Sequence, residues 1–135
     1  MNTEISTVPL PAAFRQKRVL LVEDEALIRM WLADELSEAG LDVLEAEDGD
    51  HAVALIDELT SVDLLITDIG LPGGLNGRQV AEAARKFRGD LKVLFITGYA
   101  ENAVLSHGHI DSGMHVMTKP FSMEGLATRI RSMLD

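Results

Sequence analysis

The sequence predicts a doubly wound α/β domain, a parallel five-stranded sheet covered on both faces by helices. Three observations carry this. Short aliphatic runs alternate with segments of helical periodicity five times between about residues 17 and 134. The second run, Asp42–Ala46, is only half apolar, as an edge strand would be. The other four runs end in a polar residue, where open parallel sheets place their chemistry.

Residues 1–16 mix Thr, Ser and two prolines with scattered apolar residues, and read as a loosely ordered tail before a domain over 17–135. Lys17-Arg18 leads into the first strand, Val19–Val22, which runs into Glu23-Asp24-Glu25. In the first helix Ile28, Trp31, Leu32, Leu36 and Ala39 fall at i, i+3, i+4, i+8 and i+11, and Gly40 stops it. Trp31 is expected in the core. After the edge strand, Ala52, Val53, Ile56 and Leu59 share a helical face. Leu64–Thr67 is the third strand, closed by Asp68 and the Gly/Pro-rich loop Ile69-Gly70-Leu71-Pro72-Gly73-Gly74. Asn76 can cap the third helix, Val80, Ala84 and Phe87 form its stripe, and Gly89 ends it. Its Arg78, Arg85, Lys86 and Arg88 read as a solvated face. Lys92–Ile96 is the fourth strand, followed by Thr97. The fourth helix, about 101–111, is poor: it holds Ser106, His107, Gly108 and His109, and an interior Gly costs ~1 kcal/mol. Met114–Thr118 is the fifth strand, followed by Lys119-Pro120-Phe121. The last helix carries Leu126, Ile130, Met133 and Leu134, with Ser122 as its cap.

Right-handed crossovers leave few topologies, and five strands of this size fit the three-layer, flavodoxin-like (βα)5 order 2-1-3-4-5. Strands 1 and 3 are then neighbours. Glu23, Asp24 and Asp68 converge, although Asp24 and Asp68 are 44 positions apart. Two acidic strand ends on one small domain suggest a shared cation and a phosphoryl group. A carboxylate can attack phosphorus. Clustered acids repel unless a cation joins them, and hard oxygen ligands suit Mg2+, which also bridges to phosphate.

Composition sets the bounds. With 135 residues the chain is expected to be one domain. Its net charge of −10 is opposite to the footprint of a DNA or RNA binder, so no direct nucleic-acid partner is expected. No apolar run approaches the ~20 residues of a membrane span, and no secretory signal opens the chain. No cysteine is present, in keeping with a reducing cytoplasm. His107, His109 and His115 have no acidic or cysteine partner at ligand spacing and read as solvated.

The ordered set Val-Glu-Asp-Glu (22–25), Asp-Ile-Gly-Leu-Pro (68–72), Thr97-Gly98 and Lys119-Pro120-Phe121 resembles a response-regulator receiver domain, over about residues 17–134. The segments 68–77 and 95–100 further resemble the receivers of hybrid histidine kinases and stand-alone receivers with a Phe-Ala-Thr-Gly-Tyr-like fourth strand. The resemblance implies that Asp68 accepts a phosphoryl group from a histidine kinase or histidine phosphotransfer protein. It implies Mg2+, for which Mn2+ can substitute, held by Asp24, Asp68, the backbone carbonyl of Gly70, and Glu23 through water. Lys119 would contact the phosphoryl oxygens, and Thr97 would donate its hydroxyl once that group is present. A cis peptide at Lys119-Pro120 would aim the lysine. A homodimer through the fourth helix, fifth strand and last helix is a further implication. Many receivers carry an aromatic three residues before that lysine; here the position is Val116. Tyr99 is expected to take part in the switch instead, with activation acting mainly on residues 98–113. The chain reads as either a single-domain regulator or a hybrid-kinase receiver.

Two other readings compete. An Asp-nucleophile phosphatase of the dehalogenase-like kind wants a second Asp two residues after the nucleophile, where this chain has Gly70. A non-phosphorylated receiver-like binding module would usually have lost the acid pair, the Asp or the Lys, and all are present.

Overall fold

The computed structural model describes residues 17–98 and 112–134. Its elements are β1 (Arg18–Val22), α1 (Ala26–Glu38), β2 (Asp42–Ala46), α2 (Gly49–Glu58), β3 (Leu64–Asp68), α3 (Gly77–Phe87), β4 (Lys92–Thr97), β5 (Met114–Thr118) and a C-terminal helix, α4 (Met123–Leu134). The sheet order is β2-β1-β3-β4-β5, parallel throughout. The flavodoxin-like α/β fold is therefore present. The tail over 1–16, the helix expected over about 101–111, Tyr99, His107 and His109 lie outside the described residues.

Strand periodicity divides the core. Val19, Leu21, Leu64, Ile66, Leu94 and Ile96 pack with Leu32, Leu36, Leu126 and Ile130 under α1 and α4. Their chain neighbours Leu20, Val22, Leu65, Val93 and Phe95 face the other way, onto Ala52, Ile56, Val80 and Ala84 of α2 and α3. The central strands are apolar on both sides because each residue meets one helical layer or the other. β2, at the edge, has only Ala46 buried.

Local chemistry sets the helix limits. Asp48 accepts from the His51 N–H at 2.8 Å at the start of α2. Asn76 and Gln79 form a reciprocal capping box on α3, and Ser122 Oγ accepts from the Gly125 N–H at 2.9 Å on α4. α1 ends at Gly40, whose φ of 111° lets the chain turn back so that the Leu41 N–H reaches the Leu36 carbonyl.

Three expectations are corrected. Trp31 is 50 % exposed, not in the core. The buried residues of α1 are Leu32, Ala33 and Leu36, and at about 100° per residue Trp31 falls on the flank of that stripe. Phe87 is 53 % exposed: the buried stripe of α3 is Gly77, Val80, Ala81 and Ala84, which leaves the last helical residue at its margin. The arginines of α3 are also more than a solvated face. Arg85 donates to the carbonyls of Leu91 and Ser112, and Arg88 to those of Ile56 and Leu59 at the end of α2. Both reach past the helix to cap main chain that ends nearby.

Candidate functional site

Register alone brings four strand ends to one rim. β1 pairs with β3 so that Val22 faces Thr67, and the next residues are Glu23 and Asp68. Asp68 faces Ile96 across β3 and β4, and Thr97 faces Thr118 across β4 and β5, so Thr97 and Lys119 complete the row.

Glu23, Asp24 and Asp68 each place a carboxylate oxygen within 4.8 Å of the others. Glu23 and Asp68 are buried and Asp24 is exposed. Lys119 Nζ donates to Asp68 Oδ2 at 2.9 Å and lies 3.9 Å from Glu23 Oε1. The other Asp68 oxygen accepts from the Gly70 N–H at 3.0 Å, and Glu23 Oε2 accepts from the Glu25 N–H at 3.0 Å. Thr97 is buried; its hydroxyl donates to the Gly98 carbonyl at 3.0 Å and its own carbonyl accepts from the Lys119 N–H at 2.8 Å. The Lys119–Pro120 peptide is cis.

Burial pushes the Glu23 carboxyl up to about 7. Asp68 and Asp24 push the same way, against the Glu25 N–H and Lys119. Burial lowers the Lys119 ammonium, but its hydrogen bond and attraction to Asp68, with Glu23 and Glu25, outweigh that and hold it above its ordinary 10.5. Three carboxylates against one ammonium leave excess negative charge on hard oxygen donors. That donor set fits a divalent cation of the Mg2+ kind.

Two residues that sequence reading passed over shape the site. Gly77 lies under the backbone of Asp68: a Cβ there would stand 2.2 Å from the Asp68 carbonyl oxygen. Arg29 Nη1 donates to the Glu23 carbonyl at 2.7 Å, and its Nε lies 3.4 Å from Glu45 Oε1 on β2. The signal for Arg29 was present, since it falls within the apolar stripe of α1, between the angular positions of Leu36 and Ala33. Beside the acids, Ile28, Trp31, Leu32, Ile96, Pro120 and Phe121 line an apolar groove of about 270 Å3 whose polar end is Glu23 and Lys119.

Comparison with known proteins gives the class. The family model of the response regulator receiver domain matches residues 19–131. The chain is 36 % identical over 118 residues to the sensor kinase CckA of Brucella abortus, covering 87 % of this chain and 12 % of CckA. To the response regulator receiver protein CpdR of the same organism it is 35 % identical over 118 residues, covering 87 % of this chain and 97 % of CpdR. The structure of the response regulator TrrA of Thermotoga maritima, in complex with Mg2+ and BeF, superposes with a TM-score of 0.76 at 32 % identity, covering 88 % of this chain and all of that one. The chain belongs to the response regulator receiver domain family of two-component systems. Its acidic pocket of Glu23, Asp24 and Asp68 fits a phosphoacceptor aspartate site with Mg2+. Receiver domains are not enzymes in the usual sense, and they interact with histidine kinases or phosphotransfer proteins. No described helix is long and apolar enough to cross a membrane.

Proposed function

We propose that residues 17–135 form a switch set by phosphorylation of Asp68, with 1–16 as an appended tail. The observation that carries this is the Lys119 ammonium seated 2.9 Å from one oxygen of Asp68, inside a cluster of two further acids. One Asp68 oxygen attacks the phosphorus of a phosphohistidine on a histidine kinase or phosphotransfer protein. The O–P bond forms, the P–N bond breaks, and the imidazole leaves with a proton from solvent. Asp24, Asp68, the Gly70 carbonyl and, through water, Glu23 would hold Mg2+, or Mn2+ in its place. When bound, the cation neutralises charge on the transferred oxygens. Lys119 then turns its ammonium from the carboxylate to those oxygens. The Thr97 hydroxyl leaves the Gly98 carbonyl for the same group, which pulls on Gly98-Tyr99 and shifts residues 98–113. The domain thus promotes its own phosphorylation and, by hydrolysis, its dephosphorylation. It works in the cytoplasm without touching nucleic acid, and pairs with a second copy through the fourth sequence-predicted helix, β5 and the C-terminal helix.

Acetyl phosphate with Mg2+ should add one phosphoryl group to the protein by intact-mass spectrometry, and Asp68→Asn should add none. Undiminished labelling of the variant would remove Asp68 from its role.

A further inference from the structure

We propose that Arg29 is a positioning residue for the cation site: by clamping the Glu23 carbonyl it fixes the Glu23–Asp24 peptide and thereby aims the Asp24 carboxylate. This rests on the cation reading of the site given above.

Asp24 is exposed, so packing does not place it. Its backbone does. The peptide that enters Asp24 begins with the Glu23 carbonyl, and that oxygen accepts from Arg29 Nη1 at 2.7 Å. The Glu23 N–H is held from the other side, by the Ala46 carbonyl at 3.1 Å. Arg29 is itself fixed twice. Its Nε lies 3.4 Å from Glu45 Oε1, next to Ala46 on β2, and its own N–H donates to the Glu25 carbonyl at 2.9 Å. The guanidinium fork therefore ties the turn between β1 and α1 to the sheet edge. A lysine ammonium has the charge but not the planar fork that can meet carbonyl and carboxylate together.

Charge and geometry predict opposite signs here, which makes the assignment testable. Arg29 is a cation near a cation site. If it acted only through charge, Arg29→Gln would tighten Mg2+ binding, because a repulsion is removed. If it positions Asp24, the same substitution weakens binding.

The experiment is Mg2+ titration of the full chain by calorimetry and by the fluorescence of Trp31, which lines the groove that Glu23 closes. Metal-free melting curves accompany each variant. Arg29→Gln and Arg29→Lys are each expected to weaken Mg2+ about tenfold, the usual scale for removing a group that orients a ligand. Glu45→Gln, at a side chain 44 % exposed and so safe for folding, is expected to weaken it by about two- to threefold. Unchanged or tighter Mg2+ binding in the Arg29 variants, beside a wild type that binds, overturns the proposal alone. A wild type with no saturable Mg2+ binding overturns it together with the cation reading. If the Arg29 variants fail to fold, Glu45→Gln decides: wild-type affinity there overturns the proposal.

Discussion

Glu23 is the residue at which the site's energetics can be read most directly. Its carboxyl is raised from 4.5 to about 7, so between those values the folded protein binds more protons than the unfolded chain. Stability then falls as pH rises through that window. The penalty from this group is absent below about pH 4.5 and complete above about pH 7. Lys119 has the same sign at higher pH: raised above 10.5, it contributes stability that is whole below 10.5 and is lost as pH climbs through its folded value. Denaturant unfolding in EDTA should therefore show a lower midpoint at pH 7.5 than at pH 5, and Glu23→Gln should flatten the difference. An equal slope in the variant would mean that other groups set it. Mg2+ should expel the proton from Glu23, so binding near pH 6 should release protons and tighten as pH rises towards 7. The acid Glu23 was legible in the sequence because it follows an aliphatic run. Its burial was not, because burial depends on what β2, α1 and Lys119 place around it.

At the scale of elements, the helices were legible in outline and less so in the direction each face takes. Periodicity located α1, but put Trp31 in the core with Leu36. The fold separates the two. Leu36 is 1 % exposed between α1 and the sheet, while Trp31 covers a groove rim and is half in solvent. Leu36→Ala should cost about 2–5 kcal/mol, the range for a buried leucine that leaves a cavity. Trp31→Ala should cost about 1 kcal/mol or less, since much of the ring stays in water in both states. Chemical denaturation measures both, and a Trp31 cost equal to that of Leu36 would return it to the core. The start of α3 carries a different constraint. Gly77 follows the cap Asn76, so sequence alone gives it no special role. In the fold its Cα lies against the Asp68 carbonyl, and a methyl group there would sit 2.2 Å from that oxygen. Gly77→Ala must displace backbone, at about 1–3 kcal/mol, and should slow labelling of Asp68 beyond what the lost stability explains. Labelling at the wild-type rate, measured well below the melting temperature, would show that the loop adjusts without moving Asp68.

Across the whole molecule, a net charge of −10 and an acidic pocket make stability respond to ions in two separable ways. Sodium chloride should raise the melting temperature slightly by screening general repulsion. Mg2+ at equal ionic strength should raise it further, by about 2.7 kcal/mol of stability at a hundred times its Kd. Asp24→Ala should abolish the Mg2+ increment. It should also stabilise the metal-free protein by less than about 1 kcal/mol, because Asp24 is exposed and screened. A thermal melt series resolves the two terms, and an intact Mg2+ increment in Asp24→Ala would place the ion elsewhere. The layered α/β class, the five strands and the order β2-β1-β3-β4-β5 were determined by the sequence itself, because hydrophobic periodicity and the handedness of parallel crossovers are local properties that add up along the chain. So was the convergence of Glu23, Asp24 and Asp68, which follows from strand order and the positions of strand ends. What only the tertiary structure decided lies between elements: the Lys119 ammonium seated on one Asp68 oxygen, the Arg29 guanidinium on the Glu23 carbonyl, the room that Gly77 leaves for Asp68, and Trp31 turned to the groove. Lys119 lies 51 positions from Asp68, while Arg29, Gly77 and Trp31 are nearer in sequence to what they meet but reach it only through the way their helices seat on the sheet. No local pattern encodes such a contact, because it is set by how two layers pack on one sheet.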